Sequence, residues 1–209
     1  MSTPVPDDYT PDDLDGLDGL DVFGPDDEPE NASATDGPPR PIVWAALTSD
    51  EAEFEWLRLN DFVEDLRRIY SLDATIIPPF WHRHPLLVEH LSALHTHWQA
   101  AYDPAQHGSA PFGWIRDLDE WKTRMREAVA MLSCRLDSCR PEQVTRWPGQ
   151  PDPDPADWPP PPNLADRYDD FVTFMLWWVA RRRAIEDHYY RLIAGRDQQK
   201  APSAGGLAG

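Results

Sequence analysis

Apolar residues in this chain recur at helical spacing in four stretches, separated by segments that a helix cannot cross. From Thr48 onward, Ala52, Trp56, Leu59, Val63, Leu66 and Tyr70 follow in alternating steps of four and three. Thr48 with Glu51 matches a capping box, so a helix is predicted over 48–71. The paired prolines of Ile76-Ile77-Pro78-Pro79-Phe80-Trp81 forbid continuation, and this segment reads as an extended apolar strap lying across the helices. His84 then caps a second helix, 84–102, opened by Pro85 and carrying Leu87, Leu91, Leu94, Trp98 and Ala101 on its core side. A third, 112–136, repeats the arrangement with Trp114, Leu118, Trp121, Met125, Ala128 and Leu132.

Residues 141–162 contain Trp147, Trp158 and four consecutive prolines, Pro159 to Pro162, and are predicted to form a stiff polyproline-like connector. The final helix is predicted over 163–195. Its seam is Leu164, Tyr168, Phe171, Met175, Trp178, Arg182, Ile185, Tyr189 and Leu192, broken only by Arg182. The expected architecture is all-α: a three- to four-helix bundle with a long C-terminal helix, three of its helices in a domain at 41–140, with disordered tails at 1–40 and 196–209. At about 1.5 Å per residue the last helix is nearly 45 Å long and overhangs its bundle. Phe174, Leu176 and Trp177 lie off its main seam, which marks Phe174 and Trp177 as candidate contacts to a protein partner or a second copy. A self-contained four-helix bundle is the competing expectation.

Charge changes the picture at the N-terminus. The chain of 209 residues has 37 acidic and 19 basic side chains, a formal net charge of -18. Residues 1–40 hold twelve acidic residues and one basic, Arg40. Such a segment cannot bury enough apolar area to offset its ordering entropy, so it is expected to be a disordered acidic tail. Within it Leu14, Leu17, Leu20 and Phe23 recur every third position among aspartates, the pattern of an acidic segment that docks in a partner's groove, although a merely solvated tail has the same composition. This charge excludes a strongly basic nucleic-acid binder. No basic-then-apolar leader opens the chain, and the longest apolar run, Phe174 to Ala180, is far short of the roughly 20 residues of a membrane span. A cytoplasmic location is expected, with Cys134 and Cys139 as thiols.

Candidate chemistry is sparse. His90 and His97 share a helix face but sit roughly 10 Å apart along the axis, and His95 and His97 point in opposite directions, so neither pair grips one ion. Cys134 and Cys139 enclose four residues, half of a zinc pattern without a second Cys or His pair, and no metal or cofactor is assigned. No nucleophile elbow, phosphate loop or His-Glu-x-x-His helix is present, so no catalytic residue is assigned either. Of ten tryptophans, Trp56, Trp98, Trp114, Trp121 and Trp178 fall on core seams, while Trp44, Trp81, Trp147 and Trp158 lie in loops, where aromatics serve as partner anchors. Trp81, His82 and Arg83 are therefore candidate partner contacts. Direct nucleic-acid binding through His82, Arg83, His84 and the Arg181 to Arg183 run is disfavoured by the acidic residues around that run.

The stretch from Ile77 to Pro104, with its Trp81-His82-Arg83-His84-Pro85 entry followed by Leu91-Ser92-Ala93-Leu94 and Trp98, resembles an uncharacterised family, a domain of unknown function. Its members are small helical proteins encoded on plasmids, integrative conjugative elements and phages of high-GC Gram-positive bacteria. The resemblance covers about residues 44–140. A bias of 17 Arg to 2 Lys fits a GC-rich genome. The resemblance implies a mobile-element accessory and assigns no catalytic residue; relatives often carry Cys where Phe80 stands here, which weakens a metal reading for this chain. The expected function is a non-enzymatic protein-interaction accessory of a plasmid-transfer, replication or phage complex. The alternative is an acidic nucleic-acid mimic that blocks a DNA-binding or defence protein.

Overall fold

The computed structural model describes residues 39–132, 134–140, 147–152, 154–155 and 158–200, with side chains as far as residue 196. The docking motif of Leu14, Leu17, Leu20 and Phe23 lies outside the described residues. Four α-helices are present among the described residues: α1 Ser49–Tyr70, α2 Pro85–Ala101, α3 Ala110–Met131 and α4 Arg167–Lys200. Short 3-10 turns at Trp44–Ala46 and Trp81–Arg83 precede α1 and α2. The class is all-α, and none of the described helices is long and apolar enough to cross a membrane.

Helix α1 begins where the sequence placed it. The Thr48 side chain accepts from the Glu51 N–H, and the Glu51 carboxylate accepts from the Thr48 N–H at 2.8 Å, so two otherwise orphaned donors satisfy each other. It ends in a left-handed residue, Ser71, at φ 51° and ψ 44°. Leu72 N–H then bonds Arg67 O at 3.1 Å, and Leu72 turns back into the core, the hydrogen bonding of a Schellman stop.

Helix α1 packs on α4 and on α2, and α2 packs on α3. Ser49 at the start of α1 meets Glu186 of α4, and Asn60 meets Arg167, so α1 and α4 are antiparallel. His97 meets Asp117 and the His90 carbonyl meets Trp121, making α2 and α3 antiparallel as well. The core is unusually aromatic. Trp56 lies 4.5 Å from Trp44, 5.8 Å from Phe174 and 6.1 Å from Trp178, ring centre to ring centre, mostly in tilted or edge-on pairings. Such geometry suits the ring quadrupoles and adds about 0.5–1.5 kcal/mol per pair beyond burial.

Four expectations need correction. The strap is buried as expected, with Ile76, Ile77, Phe80 and Trp81 at 3% exposure or less, but it is a run of turns and not extended chain. Asp73 causes this: its carboxylate accepts from Thr75 N–H at 2.8 Å and its carbonyl from Ile76 N–H, bending the backbone before the prolines. The third helix stops at Met131 rather than 136, because residues 134–139 fold into a bridged turn. The last helix runs Arg167–Lys200 and not 163–195, so 196–200 are helix where a disordered tail was expected. Asn163 accepts from Ala165 N–H in a turn of its own, and Asp166 is the real cap, accepting from Tyr168 and Asp169 N–H at 3.0 Å. Trp98, placed on the core stripe, is 38% exposed.

His95 is 5% exposed and stacked on Phe62 at 4.6 Å. Burial lowers its pKa to about 4, assisted by the charge of Arg58. Because the unfolded chain binds a proton near pH 6.5 and the folded chain does not, stability contributed at neutral pH is lost as pH falls through that interval. Urea unfolding at pH 7 and pH 4 is expected to show a loss about 3 kcal/mol smaller in His95→Phe than in the wild type; equal losses would contradict this. At Ser71, Ser71→Gly relieves the left-handed backbone and is expected to raise stability by roughly 1 kcal/mol in the same assay.

Candidate functional site

Buried polar groups concentrate where the turn before α2 meets α4. Asp170, one turn into α4, is 1% exposed. Its Oδ2 accepts from His82 Nε2 and Arg83 Nε, both at 2.8 Å, and its Oδ1 from Arg83 at 2.7 Å and the Asn163 N–H at 2.6 Å. The fork of Arg83 thus grips the carboxylate with two bonds and reaches the Pro160 carbonyl with a third, at 2.7 Å. Burial alone would raise the Asp170 carboxyl, but the bonds from His82, Arg83 and Asn163 outweigh it and hold the group well below the usual carboxylate range. Desolvation pushes His82 the other way, toward the neutral imidazole, against the pull of Asp170. With Asp170 ionised, His82 carries its proton on Nε2 and donates.

An imidazole on a carboxylate is half of a hydrolase triad, so access decides its meaning. His82 is 1% exposed, and its Nδ1 is buried with no hydrogen-bond partner among the described residues. Among the described residues no hydroxyl or thiol is hydrogen-bonded to that nitrogen to be activated. The arrangement joins the 3-10 turn, the end of the Pro-rich connector and α4.

A second cluster lies next to it. His84, the cap of α2, is fully buried. Its Nε2 is 3.4 Å from Cys139 Sγ, and the donor atoms of His84, Cys134 and Cys139 all lie within 4.8 Å of one another. The turn after α3 arranges the two thiols. Arg135 N–H bonds Ser138 O at 2.8 Å, closing a two-residue loop, so Cys134 and Cys139 form the next cross-strand pair and project on one side. Cys134 donates to Cys139, and with His84 and Arg83 also favouring the anion, the Cys139 thiol is lowered while Cys134 is raised.

No protein-family model, curated protein or solved structure matches the chain. The site is therefore judged on its own geometry. Of the candidate contacts named from sequence, Trp81, His82 and Phe174 are buried, at 1%, 1% and 7% exposure, and the Arg83 side chain is 7% exposed. These four hold the fold together and are not displayed on its surface. Trp177 packs half-buried against the core. Of the loop tryptophans, Trp44 is also buried, bonding Ser92 Oγ at 2.9 Å, whereas Trp147 and Trp158 are 74% and 61% exposed. Sequence reasoning did not single out Asp170, and it read His84 only as a helix cap and a disfavoured nucleic-acid contact. Asp170 looked like one more carboxylate on a charged helix, and His84 lies fifty residues before the cysteines it meets.

Removing the Asp170 carboxylate leaves the buried Arg83 guanidinium with one acceptor. Asp170→Ala is expected to cost about 3–5 kcal/mol in denaturant unfolding, and Arg83→Met with Asp170→Leu together less than that, because no buried charge is stranded. An Asp170→Ala cost below about 1 kcal/mol would contradict the assignment.

Proposed function

We propose that this protein is a non-enzymatic interaction module, an accessory of a mobile genetic element, that binds a helical protein partner along the free end of α4. One observation carries the reading. Helix α4 has 34 residues, about 50 Å, against 22 in α1. Its contact with α1 ends where Glu186 bonds Ser49 N–H at 2.7 Å and Ser49 Oγ at 3.0 Å, and residues 187–196 beyond it are all exposed. The four-and-three seam does not stop there. Phe171, Met175 and Trp178 pack inside, and the same spacing continues through Ile185, Tyr189 and Leu192, at 39%, 61% and 52% exposure. Tyr190 and Ile193 widen the strip. Arg182, the apparent break, donates to Leu47 O at 2.5 Å and faces Glu186, sealing the end of the packed part. The overhang thus offers an apolar lane that α1 has left vacant.

A second copy is the occupant that fits this lane first. The chain carries -18 overall, so copies repel, yet the overhang mixes Asp187 and Asp197 with Arg191, Arg196 and Lys200 and presents no such barrier. The acidic segment with Leu14, Leu17, Leu20 and Phe23 would serve a further partner. Its charge equally suits an acidic nucleic-acid mimic, whose binding would collapse with salt where apolar docking would not.

Light scattering on the full chain is expected to give a dimer mass that persists in high salt. Tyr189→Glu with Leu192→Glu is expected to give a folded monomer whose melting temperature no longer depends on protein concentration, since both residues are exposed and only the dimer is lost. A wild-type monomer at about 0.1 mM, a hundred times the roughly 1 μM dissociation constant that about 8 kcal/mol of association corresponds to, would overturn self-association through α4.

A further inference from the structure

We propose that His84, Cys134 and Cys139 form a binding site for a zinc ion, held by His84 Nε2 and the two sulfurs. The inference goes beyond the interaction reading and does not depend on it. Three kinds of observation carry it. The first is chemical: one imidazole and two thiols are the donors that borderline-soft divalent zinc prefers over oxygen-seeking cations. The second is geometric. Ordinary Zn–S and Zn–N bonds of about 2.3 and 2.0 Å at a tetrahedral angle place a nitrogen and a sulfur about 3.5 Å apart, and His84 Nε2 lies 3.4 Å from Cys139 Sγ. The third donor, Cys134 Sγ, completes a triangle with every edge within 4.8 Å, so closing on an ion needs only small side-chain shifts.

The third kind is the surroundings. His84 and Cys134 are 0% and 4% exposed, on two segments whose backbones are independently fixed: His84 by the start of α2, where its carbonyl accepts from Leu87 and Val88 N–H, and the cysteines by the Arg135 to Ser138 bridge. Two thiolates neutralise the ion's charge, and the neighbouring Arg83 is already balanced by Asp170, so a filled site adds no net charge to a buried region. The three protein donors leave the fourth tetrahedral position to water or to a further donor.

A zinc ion here would pin the turn after α3 to the start of α2. The two thiols also stand where a disulfide would form between cross-strand neighbours, and that is the competing outcome. The test uses the full chain, expressed in a reducing host and purified without chelators. Elemental analysis is expected to find one zinc per chain, and cobalt substitution to give the sulfur charge-transfer band and strong visible bands of a tetrahedral thiolate site. Cys139→Ala is preferred to a His84 variant because Cys139 is only half-buried and its loss spares the helix cap. It is expected to weaken zinc binding at least about a hundredfold in chelator competition, more than the loss of an outer-shell partner does, while His107→Ala, at an exposed histidine, leaves it unchanged. Zinc binding that survives Cys139→Ala in a folded variant, a chain with two free thiols and no zinc, or a Cys134–Cys139 disulfide in the freshly isolated protein would each overturn the proposal.

Discussion

Asp170 accepts hydrogen bonds from two separated parts of the chain, the turn at His82 and Arg83 and the end of the connector at Asn163, and Arg83 in turn donates to the Pro160 carbonyl. Burying one carboxylate is tolerable only because a guanidinium is buried against it with both forks engaged. The consequences run outward from this pair. Arg83 lies over the Phe174 ring at 5.4 Å, Phe174 packs on Trp56, and Trp56 joins α1 to the first 3-10 turn through Trp44. A helix with a long charged surface thereby acquires one angular setting on the bundle, which hydrophobic contact alone would leave looser. The 3-10 turn that holds the pair also delivers His84 to the cap of α2, so the polar knot and the His-Cys-Cys cluster share one piece of backbone.

The helices and most of their buried faces were legible because they rest on local signals. A capping box, a proline at the first turn and a repeat of four and three need no knowledge of the rest of the chain, and α1 and α2 lie within one residue of where those signals put them. Seams were less legible where neighbours decide. Trp98 has the right spacing for burial but falls toward the edge of the contact between α1 and α2, against Phe62 and Tyr102. Phe174, off the seam by spacing, is buried because the turn at Trp81 to Arg83 covers a second face of α4, and that turn is about ninety residues upstream.

The polar chemistry was the least legible, for the same reason. Asp170 differs from Asp169 only in facing inward, and no local pattern says which of two adjacent aspartates meets an arginine from another segment. His84 read correctly as a cap and was not recognised as the neighbour of Cys134 and Cys139, since those come from a turn that the helical pattern wrongly absorbed into α3. The overhang was anticipated, but at Phe174 and Trp177, where apolar residues are densest. It lies instead beyond Glu186, because the start of α1, and not the density of the seam, sets where packing ends.

The central claim is that the Asp170 knot makes α4 one cooperative unit with the bundle. Native-state hydrogen exchange on the full chain measures this most directly, since it assigns an opening free energy to each helix separately. The amides of Phe171 to Val179 are expected to exchange with the same opening free energy as those of Leu59 to Leu66 in α1, only through global unfolding. If Phe171 to Val179 open at a markedly lower free energy while α1 stays closed, α4 is an appendage and the knot does not organise the fold.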